Sequence, residues 1–195
     1  GTVTSTSLDT LRKENDLPVL GVVEPSCREA LAATNNKKIG MIATLASARS
    51  GAYERTLKGL DADVRVVSQP CPLFVPLVEN GRQGDVVIET VAREYLTPLI
   101  EAGVDTLILG CTHYPLLKDI IGEICGPGVT LIDSGAASAR ALRQQLAAEG
   151  QLTDRQQGET RFYVSDRPED FEKLAAVFLE EPLSRGAERI DIEQY

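Results

Sequence analysis

The chain has 195 residues, 43% of them hydrophobic and 25% charged, a globular composition with length for one large or two small domains. Its formal net charge of −9, with no run of Lys or Arg, argues against nucleic acid, so the expected partner is a small molecule or a protein. No apolar run is long enough to cross a bilayer, and residues 1–7 lack the pattern of a signal peptide, so no membrane partner is expected either.

Strand-like and helix-like segments alternate at the spacing of βα units, which predicts an α/β fold: a mostly parallel sheet with helices on its faces. A first helix is predicted over 5–14, behind a start rich in hydroxyls: Thr2, Thr4, Ser5, Thr6 and Ser7. A strand over 19–23, a helix over 27–34, a strand over 38–43 and a helix over 48–58 follow. Thr44 and Ser47 stand where the strand over 38–43 ends. Hydroxyls and helix-start amides can hold a carboxylate or phosphate there, and Ser and Thr are also ordinary N-caps. After a strand over 63–67, Pro70, Pro72 and Pro76 predict a stiff loop that delivers Glu79 to a fixed place. Glu79 is then either a charged group in a cleft or a solvated loop acid.

A helix over 86–102 leads to a strand over 106–109 and the run Leu109-Gly110-Cys111-Thr112-His113-Tyr114-Pro115-Leu116-Leu117. A buried strand, a glycine turn and Pro115 near a helix start put Cys111 at the carboxyl end of a strand, where open α/β sheets bind ligands. A helix-start field and the chain's only histidine, His113, are expected to favour thiolate over thiol, which makes Cys111 a candidate base or nucleophile. The alternative is a small buried hydrophobe beside an ordinary helix-start side chain.

Further predicted elements are a helix over 114–124, a strand over 129–132, Asp133 as N-cap, and a helix over 134–148 with Ala137, Ala141, Leu142 and Leu146 on one face. The polar stretch 151–159 can separate units; a strand over 161–164 and a helix over 168–179 follow. The tail 180–195 is either a final edge strand or an ordered arm. Cys27, Cys71, Cys111 and Cys125 form no C-x-x-C pair, so neither a zinc ribbon, nor another metal site, nor a redox motif is expected, and reduced thiols fit a cytoplasmic protein.

Several stretches together resemble the aspartate/glutamate racemase family, its glutamate-acting members above all. They are Gly110-Cys111-Thr112-His113-Tyr114-Pro115-Leu116-Leu117, Cys71-Pro72-Leu73-Phe74-Val75-Pro76-Leu77-Val78-Glu79, Ser50-Gly51-Ala52-Tyr53, Pro18-Val19-Leu20-Gly21-Val22-Val23-Glu24-Pro25 and Leu131-Ile132-Asp133-Ser134. The resemblance implies two pseudo-symmetric parallel-sheet α/β domains facing a cleft. It implies interconversion of L- and D-glutamate without a cofactor, the D form serving bacterial peptidoglycan, and a homodimer is expected by resemblance alone. In the family two cysteines face the substrate Cα from opposite sides, one removing the proton and the other returning one.

By resemblance, Cys111 is the second catalytic cysteine, Thr112 binds substrate, His113 assists its proton transfer, and Glu79 is an acid close to the site. Thr44 and Ser47 match positions near the substrate carboxylate, Ser47 standing where threonine is usual. Thr2 falls on a substrate-binding threonine of the segment that holds the family's first cysteine, which would itself precede Gly1. The chain opens with Gly1 and has Met41 as its only methionine, so it is read as processed or as a piece of a longer protein. Domain limits carried over put a complete second domain at 24–131 and the remainder of the first, incomplete here, at 1–23 with 132–195. The chain by itself is expected to be inactive. The competing readings are a noncatalytic binding or interaction fragment of this fold and a related aspartate racemase.

Overall fold

The computed structural model describes residues 2–155, 158–179 and 181–194, and the chain divides into two compact units, 1–152 and 153–195. The division falls inside the polar 151–159 stretch.

The first unit is organised by a sheet in the order β2-β1-β3-β4, where β1 is Lys38–Ala43, β2 Arg65–Pro70, β3 Thr106–Leu109 and β4 Thr130–Asp133. All its pairings are parallel, with Ile39 opposite Thr106 and Val66, and Thr106 opposite Thr130. The two central strands read as continuous apolar runs because both of their faces are covered. Their side chains alternate. Ile42, Leu107 and Leu109 enter one core with Phe74, Leu96, Leu99 and Tyr114. Ile39, Met41, Ala43 and Ile108 enter the other with Cys27, Tyr53 and Leu57. Removing each such large side chain from water stabilises the fold by roughly 1.5–3 kcal/mol.

Helices α1 (Thr2–Glu14), α2 (Val23–Ala33), α3 (Leu45–Ser50), α4 (Ala52–Leu60), α5 (Phe74–Glu79), α6 (Val86–Glu101), α7 (Lys118–Cys125) and α8 (Ser134–Ala148) connect or flank these strands. Helices α5, α6 and α7 cover the first core, α2 and α4 the second. Helix α8 is tied to α2 by a two-pronged ion pair, Arg140 Nε and Nη2 to Glu29 Oε1 and Oε2 at 2.7 and 2.6 Å.

Five sequence expectations give way. The stretch 19–23 forms no strand: it ends as a bend at Val22 (φ −86°, ψ −15°) and runs into α2, whose first turn accommodates Pro25. An apolar run shows its hydrophobicity and not whether a neighbouring strand is free to pair. The helix expected over 48–58 is two, α3 and α4, because Gly51 adopts φ +65°, a left-handed residue that ends one helix and starts the next. The stiff loop before Glu79 folds into α5, since Pro76 lies in its first turn, where no intrahelical N–H bond is required. The helix expected from 114 begins as a 3-10 turn, Tyr114–Leu117, and becomes α-helical only at Lys118. In α8 the apolar face is narrower than expected: Ala137 is buried, but Leu142 is exposed.

The second unit pairs β5 (Tyr163–Val164) in parallel with β6 (Glu188–Arg189) beside helix α9 (Pro168–Leu179). Phe162 and Phe171 meet with ring centroids 5.8 Å apart, and Glu172 Oε1 accepts from the Ala187 N–H at 2.8 Å. The tail thus supplies an edge strand, placed before rather than on the 190–192 alternation.

Candidate active site

Strand order locates the site before any side chain does. From β1 the chain moves to β2 on one side of the sheet, and from β3 to β4 on the other, so the crevice between the carboxyl ends of β1 and β3 is a topological switch point. Thr44 follows β1 and Gly110-Cys111 follows β3. The Gly110 N–H donates to Ile42 O at 2.8 Å, carrying the β1–β3 ladder up to the cysteine. Two hydrogen bonds anchor this turn to other strand ends: Ser134 Oγ, after β4, donates to Leu109 O at 2.8 Å, and the turn's own Tyr114 Oη donates to Cys71 O, after β2, at 3.0 Å.

Cys111 is half-buried, with Sγ 3.9 Å from His113 Nδ1, and Thr112 Oγ1 lies 3.3 Å from that nitrogen. On the other side of the ring, His113 Nε2 is 3.0 Å from Glu79 Oε1. An ionised carboxylate can only accept, so the Nε2 position carries the proton and Nδ1 of the neutral ring is left as acceptor toward the thiol and the hydroxyl. The imidazole side chain is 17% exposed and the Glu79 carboxylate 47%, so the chain of contacts runs from a half-buried sulfur outward to water. Sequence neighbours could not reveal this link, since 34 residues separate Glu79 from His113.

The electrostatics correct the expected thiolate. Burial pushes the Cys111 thiol above its ordinary range and the Glu79 charge adds to the rise. The His113 backbone N–H and the Thr112 hydroxyl pull the other way without winning. The residues after Cys111 form a four-residue 3-10 turn before α7 begins at Lys118. Burial raises the other thiols too, Cys27 to about 12 and Cys125 to about 11, with Cys71 also raised.

Thr44 and Ser47 stand at the end of the neighbouring strand. Thr44 is the N-cap of α3, its Oγ1 accepting from Ser47 N–H at 3.3 Å and donating to Ser47 Oγ at 3.2 Å, with Ser47 buried. Capping, one of their two expected roles, is therefore in place. Thr2 lies in α1, which packs on α3, but its side chain is outside the described residues. Cys111, Thr112, His113 and Glu79 are thus brought together, with Thr44 and Ser47 one strand away. Among the described residues no group of three or more His, Cys, Asp or Glu could hold a metal ion. No helix among them is long and apolar enough to cross a membrane. A groove of about 290 Å³ between α1, α2 and α4, with Arg12 and Arg55 on its walls, contains none of the expected site residues.

Sequence reasoning missed the anchoring roles of Ser134 and Tyr114. The available signal was weak: a hydroxyl directly after a parallel strand and a tyrosine directly after the histidine.

The family model described as Asp/Glu/Hydantoin racemase matches residues 2–142. A glutamate racemase of Geobacter metallireducens is 43% identical over 180 residues, covering 91% of this chain and 66% of that protein. The chain therefore spans about two thirds of the length of this relative. Among solved structures, a glutamate racemase isoform of Bacillus anthracis superposes with a TM-score of 0.90 at 33% identity, covering 98% of this chain and 70% of that one. The glutamate racemase of Francisella tularensis in complex with D-glutamate does so with a TM-score of 0.89 at 31% identity, covering 100% and 72%.

Proposed function

The chain belongs to the Asp/Glu/hydantoin racemase family, and from that premise we propose that it is part of a glutamate racemase that inverts Cα by proton transfer without a cofactor. Inversion requires a base on one face of the substrate and an acid on the other. Cys111 serves one face: its sulfur takes the Cα proton in one direction of the reaction and returns one in the other. Forming the thiolate in this half-buried place is uphill, and His113 lowers that cost by accepting the thiol proton at Nδ1 while Glu79 holds the Nε2 proton and balances the imidazolium charge. Thr112 stands beside the sulfur as a substrate contact, and the hydroxyls of Thr44, Ser47 and Thr2 are assigned to the substrate carboxylate.

The opposing base is not one of the chain's other described cysteines. Cys27 and Cys71 are fully buried in the two cores on opposite faces of the sheet, and Cys125 ends α7. The reading therefore draws its second base from outside these residues. It carries with it the domain limits 24–131 and 1–23 with 132–195, a homodimer, a cytoplasmic location and supply of D-glutamate to peptidoglycan. Contacts within the chain divide it elsewhere, between 152 and 153.

The observation that carries the proposal is the Cys111–His113–Glu79 chain at the switch point between β1 and β3. The test is exchange in D₂O. The chain is joined to the portion of the Geobacter relative that the match leaves uncovered, supplied with L-glutamate, and deuterium at Cα is followed by NMR. Exchange with appearance of D-glutamate is expected, and its loss in Cys111→Ala. Exchange that persists undiminished in Cys111→Ala overturns the assignment.

A further inference from the structure

Tyr53 sits at the first turn of α4, in the Ser50-Gly51-Ala52-Tyr53 stretch, and is fully buried in the second core. Among the described residues its hydroxyl has no hydrogen-bond partner. A buried hydroxyl without a partner is costly, and phenylalanine would fill the same space without that cost. Where the hydroxyl lies is the informative part. A Cβ built on Gly110 would come within 3.4 Å of Tyr53 Oη, so the phenol oxygen faces the backbone of the turn that carries Cys111. The absence of a side chain at Gly110 is what opens the turn to it. Ser134, whose Oγ is already committed to Leu109 O, stands close enough to act on the phenol, yet no formed hydrogen bond joins the two.

We propose that Tyr53 is a positioning residue for Cys111, its hydroxyl an uncommitted donor that turns toward the Gly110-Cys111 backbone and Ser134 when the sulfur carries negative charge. A buried hydroxyl with no acceptor among the described residues can turn toward a developing charge without first breaking a hydrogen bond. Burial holds the phenol itself up at about 12, so it is protonated and able to donate at neutral pH. The titratable groups that face it are Cys27 from α2 and Cys111 after β3, while His113 and Glu79 face Cys111 from the other side. The inference rests on the reading of Cys111 as a group that cycles through the thiolate.

The experiment is alkylation of Cys111 by iodoacetamide as a function of pH in the 195-residue chain, followed by mass spectrometry of the peptide that contains it, with urea unfolding measured in parallel. Tyr53→Phe is expected to unfold at the same or a higher urea midpoint. It is also expected to move the alkylation midpoint up by about half to one pH unit, a threefold to tenfold slowing at fixed pH below it. A profile that superimposes on that of the unsubstituted chain overturns the proposal, and so does a fall in the urea midpoint, since that would mean the hydroxyl is already engaged in the folded thiol form. This readout needs no turnover, so its failure is distinct from failure of the racemase reading, which is decided by exchange in Cys111→Ala.

Discussion

Gly110→Ala isolates how closely the cysteine turn must approach the sheet. The position has no positive φ, so backbone conformation does not demand glycine there. Space does: a Cβ would lie 2.9 Å from Ile42 O, 3.3 Å from Ala43 Cβ and 3.4 Å from Tyr53 Oη. Ile42 O belongs to a central strand held on both sides, and it is the same oxygen that accepts the Gly110 N–H at 2.8 Å. Carbon and carbonyl oxygen settle at about 3.3–3.6 Å, so the turn must withdraw by roughly half an ångström. That movement lengthens the Gly110–Ile42 bond and carries Cys111 with it. Overpacking of this kind costs about 1–3 kcal/mol, and a displaced reacting group can lose on the order of tenfold to a hundredfold in rate. Urea unfolding of the 195-residue chain measures the first quantity. Cα exchange in the joined protein and Cys111 alkylation measure the second. A variant with unchanged stability, unchanged alkylation and unchanged exchange would refute the argument that this contact positions the thiol.

The remaining expectations concern the histidine and the base of the sheet. His113→Gln keeps a polar side chain but cannot take the thiol proton, and is expected to slow Cα exchange by about 10²–10⁴; Glu79→Gln, which removes a half-exposed partner, is expected to cost only about twofold to fivefold, and equal losses in the two would contradict the order of the chain. At the opposite end of the sheet Asp105 accepts from Asn35 and Asn36 N–H at 2.7 and 2.8 Å and from the hydroxyls of Thr34 and Thr106 at 2.5 and 3.1 Å. Burial raises this carboxyl, but those donors outweigh it and hold it below the usual carboxylate range. A lowered folded value means that the stabilisation is fully present above the ordinary carboxylate range and is lost as pH falls through the folded value. Asp105→Asn is therefore expected to lose on the order of 1 kcal/mol in urea unfolding at pH 7, a difference that narrows as pH falls below the ordinary carboxylate range, and a difference independent of pH would refute the assignment.

How much of this was legible before the structure depends on whether a residue's role is local. The strands β1 and β3 announce themselves, because a strand covered on both faces needs an unbroken apolar run and Lys38–Ala43 and Thr106–Leu109 supply one. Edge strand β2 does not: its 65–70 span mixes exposed and half-buried positions, and the expected 63–67 misses its register. Cys111, Thr112 and His113 are contiguous, so their meeting is guaranteed by the chain. Glu79 reaches them only because Phe74–Glu79 folds into a helix that the prolines seemed to forbid.

The state of the thiol is not legible in the sequence for a different reason. A sequence shows which charges are near Cys111 but not how much water has been removed from it, and here burial outweighs the donors. Tyr53 carries the same point further. Its aromatic ring is fixed by the hydrophobic pattern, and phenylalanine would satisfy that pattern equally well. Only the packing of α4 near the turn after β3, which brings the phenol oxygen beside Gly110, gives the hydroxyl anything to act on. A role that depends on how a helix and a turn distant in sequence lie against each other has no signature in either segment, so such groups are legible only in the assembled fold.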